Sequence, residues 1–269
     1  MVVRIALAQV TPVWDEPGAT LRKVEPFIAR AAADGAAIIC FPEQFATGWD
    51  PGSVSNAQPA NGEIFHTLSD YAKRHDIAVL GSLRLQEKGR LFNACIVAGR
   101  DGTLLASYRK VHLFSPLREG TCYHPGENVA TFPLGDMTFG IAICYDLRFS
   151  PLFHVYAAAG AECMLVPSAW PASRMDAWEL FIRTRAMENQ LFVAGINTVG
   201  ITPVDRYSGN SMVAGPLGNI IRQASDNEGI TCTDLDPDVI RQSRQVMHVE
   251  EDRQTGLYHD MARAAKRTD

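Results

Sequence analysis

Several things are missing from this 269-residue chain, and each absence removes a class of function. No apolar run approaches the roughly 18 residues of a membrane span. The opening "MVVRIALAQVTPVWD" has one Arg and a short apolar alternation that breaks at Gln9 and Thr11, too little for a secretory h-region. The expected location is therefore cytoplasmic, with no membrane partner. There is no basic stretch: 25 Lys and Arg stand against 30 Asp and Glu, scattered along the chain, for a net charge of −5. That balance argues against nucleic acid as a partner. No GxGxxG or GxxxxGK[ST] follows a strand pattern, which argues against a nucleotide-binding protein. The six cysteines (Cys40, Cys95, Cys122, Cys144, Cys163, Cys232) include no CxxC pair and read as free thiols. "CYH" at 122–124 is the nearest approach to a metal spacing and has no second ligand pair. Neither a metal nor an organic cofactor is expected.

What is present is alternation. "VRIALAQV" reads as a strand and "TLRKVEPFIARAAADG" as an amphipathic helix stopped by Gly35. "AAIICFPE" follows as a strand, "GEIFHTLSDYAKRHD" as a helix, and "IAVLGSLRL" and "NACIVAGRDGTLLASYRK" as strands turning at 100–102. An irregular stretch from Leu113 to Asn128 is long enough to be a functional loop. The second half repeats this alternation, with strand "MTFGIAIC", helix "SPLFHVYAAAG", strand "AECMLVPS" and helix "SRMDAWELFIRTRAMENQ". "LFVAGINTV", "GNSMVAGPLGNIIRQA" and "GITCTDLD" read as closing strands, and a polar helix and arm run from Pro237. With no composition break, residues 1–269 form one expected α/β domain of two mixed sheets covered by helices, plus a C-terminal arm at about 237–269.

Three polar residues each end an apolar strand pattern: Glu43 after "AAIICFP", Lys110 after "TLLASYR" and Cys144 after "GIAI". Taken singly each has a plain reading. Cys144 can be a small hydrophobe filling a gap, Glu43 a solvated acid or ion-pair partner, and Lys110 a surface lysine. Taken together they make chemical sense. A thiol needs a base, a partly buried Glu has a raised pKa suited to that task, and an ammonium stabilises an oxyanion on an attacked carbonyl.

"FPEQFATGW", "YRKVHLF", "GIAICYDLRFSP" and "RTRAMENQ" resemble, in order and spacing, the nitrilase superfamily of carbon–nitrogen hydrolases. The likeness runs from "ALAQVTP" to "GNSMVAGPLGNII". It implies a four-layer α–β–β–α sandwich and a catalytic Glu43, Lys110 and Cys144. It also points to Glu119, in "FSPLREGTCYHPGE", as a second glutamate near the lysine; a plain loop carboxylate is the other reading there. The implied reaction is thiol-dependent hydrolysis of a small non-peptide amide through a cysteine thioester, with the Tyr145 backbone N–H helping Lys110 to hold the oxyanion. "CYDLRF" resembles the aliphatic-amidase and ω-amidase branches more than true nitrilases. N-carbamoyl amidohydrolase, nitrilase and silent association scaffold are the alternatives. Trp170 in "SAWP" and Trp49 after "ATG" are candidate pocket walls, or core tryptophans. Arg174 reads as a surface arginine at a helix start, with a substrate carboxylate as its other possible partner. A Cys–His protease, with His112 or His124 as base, is the first rival enzyme. The family likeness also implies a homodimer or larger homo-oligomer, through the helices after the cysteine and the arm.

Overall fold

The computed structural model describes residues 1–265. Residues 266–269 of the expected arm lie outside the described residues. The first half holds strands β1 (Val3–Gln9), β2 (Ile38–Cys40), β3 (Ala78–Glu87), β4 (Arg90–Ala98) and β5 (Leu104–Arg109). Helices α1 (Pro17–Ala33) and α2 (Glu63–His75) connect the first three. The second half holds β6 (Thr131–Leu134), β7 (Met137–Ile141), β8 (Cys163–Ser168) and β9 (Phe192–Asn197), with α3 (Ser150–Ala158) and α4 (Met175–Asn189) as crossovers. A short hairpin, β10 (Val199–Ile201) and β11 (Arg206–Ser208), precedes β12 (Met212–Ala214), β13 (Ile220–Gln223) and β14 (Gly229–Leu235). The chain ends in α5 (Pro237–Val246), α6 (Val249–Asp252) and α7 (Thr255–Ala265).

Two six-stranded mixed sheets result, ordered β14-β1-β2-β3-β4-β5 and β6-β7-β8-β9-β12-β13. Read in those directions, both show the same pairing sense: antiparallel, parallel, parallel, antiparallel, antiparallel. The halves share one plan, with two helical crossovers making the parallel pairs of each sheet.

Alternation along the strands builds the layers. Ile5 and Leu7 of β1, Ile38 and Cys40 of β2, and Cys163 and Leu165 of β8 meet in the core between the sheets. Their neighbours turn the other way: Ala6, Ala8 and Ile39 pack on Val24 and Ile28 of α1 and Leu68 of α2. Met164 and Val166 likewise pack on Phe153 of α3 and on Trp178 and Ile182 of α4. Strands buried on both faces have no polar side to show, which is why they read as continuous apolar runs. This is the four-layer α–β–β–α sandwich.

The differences from expectation are local. The strand expected over "AAIICFPE" pairs only over Ile38–Cys40, and the one expected to reach Cys144 ends at Ile141. Leaving the ladder early is what frees Glu43 and Cys144 to turn inward. The β10–β11 hairpin falls outside the expected elements, because three-residue strands carry too little alternation to be read. Among the described residues, no helix is long and apolar enough to cross a membrane.

Candidate active site

After β7 the chain stays extended through Ile143, then tightens into a 3₁₀ turn over Cys144–Arg148. Cys144 starts that turn with φ at +46°, a left-handed conformation that costs a non-glycine residue roughly 1–3 kcal/mol. The buried Asp146 holds it there. Its Oδ2 accepts from the Ile143 N–H at 2.9 Å and the Tyr108 hydroxyl at 2.8 Å. Its Oδ1 accepts from the His112 N–H at 3.0 Å and lies 2.8 Å from His112 Nδ1. One carboxylate thus fastens the cysteine turn to the segment carrying Lys110. His112 is committed to Asp146 and stacks on Phe149 with centroids 3.6 Å apart. His124 packs near Phe92, and neither histidine lines the pocket at Cys144. Neither histidine is placed as a base for Cys144.

Beside the thiol sits a buried charge cluster. Lys110 Nζ donates to Glu43 Oε1 at 2.7 Å and to Glu119 Oε2 at 3.0 Å, and the side chains of all three are fully shielded from solvent. Asn93 Nδ2 bridges the two carboxylates, at 2.7 Å from Glu43 and 2.8 Å from Glu119. The Phe114 amide donates to Glu119 at 2.6 Å and the Ala169 amide to Glu43 at 3.1 Å. The structure therefore brings Glu43, Lys110, Glu119 and Cys144 into one cluster from four separate segments.

The electrostatics follow from two acids sharing one base. Burial pushes the Glu43 carboxyl above the usual carboxylate range; the Glu119 charge adds to this, and Lys110 only partly opposes it. Burial would raise Glu119 too, but Lys110, the Phe114 amide and Asn93 outweigh it and hold that carboxyl low. Lys110 is held well above its ordinary value: burial acts against its charge, and Glu119 and Glu43 overcome it. Burial and the Glu43 charge push the Cys144 thiol up, against the pull of Lys110 and the Ala169 amide. At rest the site holds a neutral thiol next to a carboxylate with unusual affinity for a proton, which is the pairing a general base requires.

Cys144 and Lys110 both contribute to the lining of one pocket. Trp49, Tyr145 and Trp170 line it. Trp170 is also pinned from behind, its backbone N–H donating to Asn197 at 2.7 Å and its indole to the Arg174 carbonyl at 2.8 Å. The loop bearing Trp49 is tied down by the buried Arg84, which donates to the Gly48 carbonyl at 3.0 Å, to Gln44 at 3.1 Å and to Asp15 at 3.0 Å. Arg174 departs from the surface reading: it is half-buried, lines the pocket, and sits 5.3 Å from the Phe114 ring centre. Arg148, Asp205 and Tyr207 also line the pocket and were missed. So was Asn93, although a lone amide inside the apolar run "LFNACIV" was a visible signal for it. Among the described residues, no group of His, Cys, Asp and Glu is placed to hold a metal ion.

The carbon–nitrogen hydrolase family model matches residues 4–245. The chain is 35% identical to the omega-amidase NIT2 of Homo sapiens over 246 residues, 86% of this chain and 88% of that one. It is 28% identical to the 2-oxoglutaramate amidase of Bacillus subtilis over 247 residues, 91% of this chain and 95% of the other. Among solved structures it superposes with a TM-score of 0.86 and 27% identity, covering 96% of each chain, on a glutamate-to-glutamine mutant of the amidase from Nesterenkonia sp. AN1 that shows covalent addition of the acetamide moiety of fluoroacetamide at the active-site cysteine. With a buried Glu–Lys–Glu cluster beside a strained strand-end thiol, and a match spanning nearly the whole fold, the chain belongs to the carbon–nitrogen hydrolases of the nitrilase superfamily.

Proposed function

We propose that this thiol-dependent amidase cleaves the terminal amide of a short acid whose far end is a carboxylate. The observation that carries the reading is the placement of Arg148 and Arg174 in the same pocket as Cys144. Both guanidinium groups lie over aromatic rings, Arg148 5.4 Å from the Trp170 centre and Arg174 5.3 Å from that of Phe114. Neither has a carboxylate partner among the described residues. Two arginines without an ion-pair partner, against the single acid Asp205 in the same lining, favour an anionic substrate tail. The names of the omega-amidase and 2-oxoglutaramate amidase relatives point the same way.

In the reaction Glu43 accepts the Cys144 proton and the thiolate attacks the amide carbon. Lys110 and the Tyr145 N–H hold the developing oxyanion; that amide lies in the first turn of a 3₁₀ segment, where backbone donors lack intrahelical acceptors. Glu43 returns its proton to the departing ammonia, leaving a thioester; it then takes a proton from the attacking water and gives it to the Cys144 sulfur as the C–S bond breaks and the acid leaves. Glu119 keeps Lys110 charged and in place. Trp49 and Trp170 wall the acyl group. The match over residues 4–245 supports one hydrolase domain. Exposed Val155 on α3, Leu180 and Met187 on α4, and Leu257, Tyr258 and Met261 on α7 support assembly as a homodimer or larger through those helices.

Ammonia release from glutaramate and succinamate, compared with butyramide and pentanamide, tests the substrate reading. The carboxylated amides should be strongly preferred, and Arg174→Met should cost them about 10- to 100-fold in kcat/KM, the range for a lost charged hydrogen bond. Equal cleavage of neutral amides, with no effect of Arg174→Met, would defeat it.

A further inference from the structure

Asn93 of β4 is fully buried and holds all three charged members of the cluster. Its Nδ2 donates to Glu43 Oε1 at 2.7 Å and to Glu119 Oε1 at 2.8 Å, and its backbone carbonyl accepts from the Lys110 N–H at 2.8 Å. Its own Oδ1 is buried with no hydrogen-bond partner among the described residues. The two carboxylates therefore set the orientation of this amide, since the reverse one would put Oδ1 against both of them. Leaving the acceptor end unmatched costs stability, and the donor end supplies the reason for the placement.

The two oxygens of Glu43 are used differently. Oε1 accepts from Asn93 Nδ2 and from Lys110 Nζ, both at 2.7 Å, which fills both of its lone pairs. Oε2 accepts from the Ala169 N–H at 3.1 Å and has no second N–H donor among the described residues, so it keeps a lone pair free. The same Ala169 amide acts on the Cys144 sulfur, which sets Oε2 on the thiol side of the carboxylate. We propose that Asn93 is a positioning residue that selects the basic oxygen of Glu43: with Lys110 it saturates Oε1, so the proton leaving Cys144 Sγ lands on Oε2. As the S–H bond breaks, an O–H bond forms on Oε2 and the electron pair stays on sulfur as the attacking thiolate. Without the Asn93 N–H, Oε1 would hold a free lone pair on the side away from the thiol, where a captured proton is unproductive. The same N–H groups favour the ionised form of both carboxylates. The titratable groups within reach of the Glu43 charge are Lys110, Glu119, Cys144, Cys95 of β4 and Tyr207 of β11, and burial keeps the last two neutral. The inference rests on Glu43 acting as the base for Cys144.

The test reads the rate of iodoacetamide alkylation at Cys144 against pH, by peptide mapping on the full chain. It also reads kcat and KM for whichever of glutaramate and butyramide the wild type cleaves faster. Asn93→Leu removes both N–H donors at similar volume. It should lower kcat about tenfold or more with KM within about threefold, the loss expected for a hydrogen bond to a charged group. The acidic limb of alkylation should move to higher pH, because Glu43 loses a donor that favours its ionised form. A merely structural residue would lower the unfolding temperature and leave that limb in place. Asn93→Ser, smaller and with a single donor hydrogen, is read in the same way if Asn93→Leu does not fold. If neither folds, a neutron structure of wild-type crystals held below the acidic limb decides: the Glu43 proton sits on Oε2 as inferred, or on Oε1, which overturns the inference. A folded variant that keeps the wild-type limb, or loses only in KM, also overturns it. Glu43→Gln separates the two ideas: it should abolish both the limb and turnover, and a variant that stays active removes the base reading itself.

Discussion

Glu43 and Glu119 share one lysine, and that sharing sets the pH range of the reaction. In the proposed reaction Glu43 must be ionised to take the thiol proton, and burial with the Glu119 charge holds its carboxyl above the ordinary value of 4.5. The acidic limb of kcat/KM should therefore lie above the usual carboxylate range. Glu119→Gln removes a negative charge that raises Glu43 and leaves Lys110 to act on Glu43 alone. The acidic limb should move to lower pH even as the rate falls, and a pH profile of the variant checks it; a limb that stays or rises contradicts the coupling. The residues of this cluster were partly legible. Glu43, Lys110 and Cys144 each interrupt an apolar run, so their positions were visible, and the family motifs supplied their roles. Tyr207 and Arg148 carried no such signal. They line the pocket because of where a three-residue strand and a 3₁₀ turn place them in space.

At the scale of elements, the site depends on close backbone approaches that hold the catalytic segments in register. Gly126 donates its N–H to the Lys110 carbonyl at 2.8 Å, and a Cβ there would stand 2.2 Å from the Arg109 carbonyl oxygen. That neighbour is backbone and cannot swing aside. Gly126→Ala should displace the end of β5, cost about 1–3 kcal/mol in thermal or denaturant unfolding, and reduce kcat more than KM by moving Lys110 off the oxyanion. A fully active, equally stable variant would show that the approach is loose. The helices and long strands were readable because amphipathic and apolar periodicities persist over many residues. The exact point where a strand leaves its ladder was not, since Phe41–Pro42 and Ala142–Ile143 are as apolar as the paired residues before them. That unreadable detail is the one that turns Glu43 and Cys144 inward.

For the whole molecule, two sheets of identical pairing sense back to back leave their outer helices to meet solvent or another subunit. α7 carries Leu257, Tyr258 and Met261 exposed and buries none of its residues in this chain. Light scattering should give at least twice the 29.5 kDa chain mass, and Leu257→Lys with Met261→Lys should lower it; a monomer unaffected by these changes contradicts the proposed assembly. The layered fold was legible from alternation and from its recurrence in both halves. The equivalence of the two sheets was not, because it lies in strand pairing and not in residue identity. The central claim is that amide cleavage passes through a thioester on Cys144, and acid-quenched turnover followed by peptide mass mapping tests it most directly. A hydroxylamine-sensitive acyl group should appear on the peptide holding Cys144 and be absent from Cys144→Ala. Acylation elsewhere, or labelling that persists in Cys144→Ala, would contradict it.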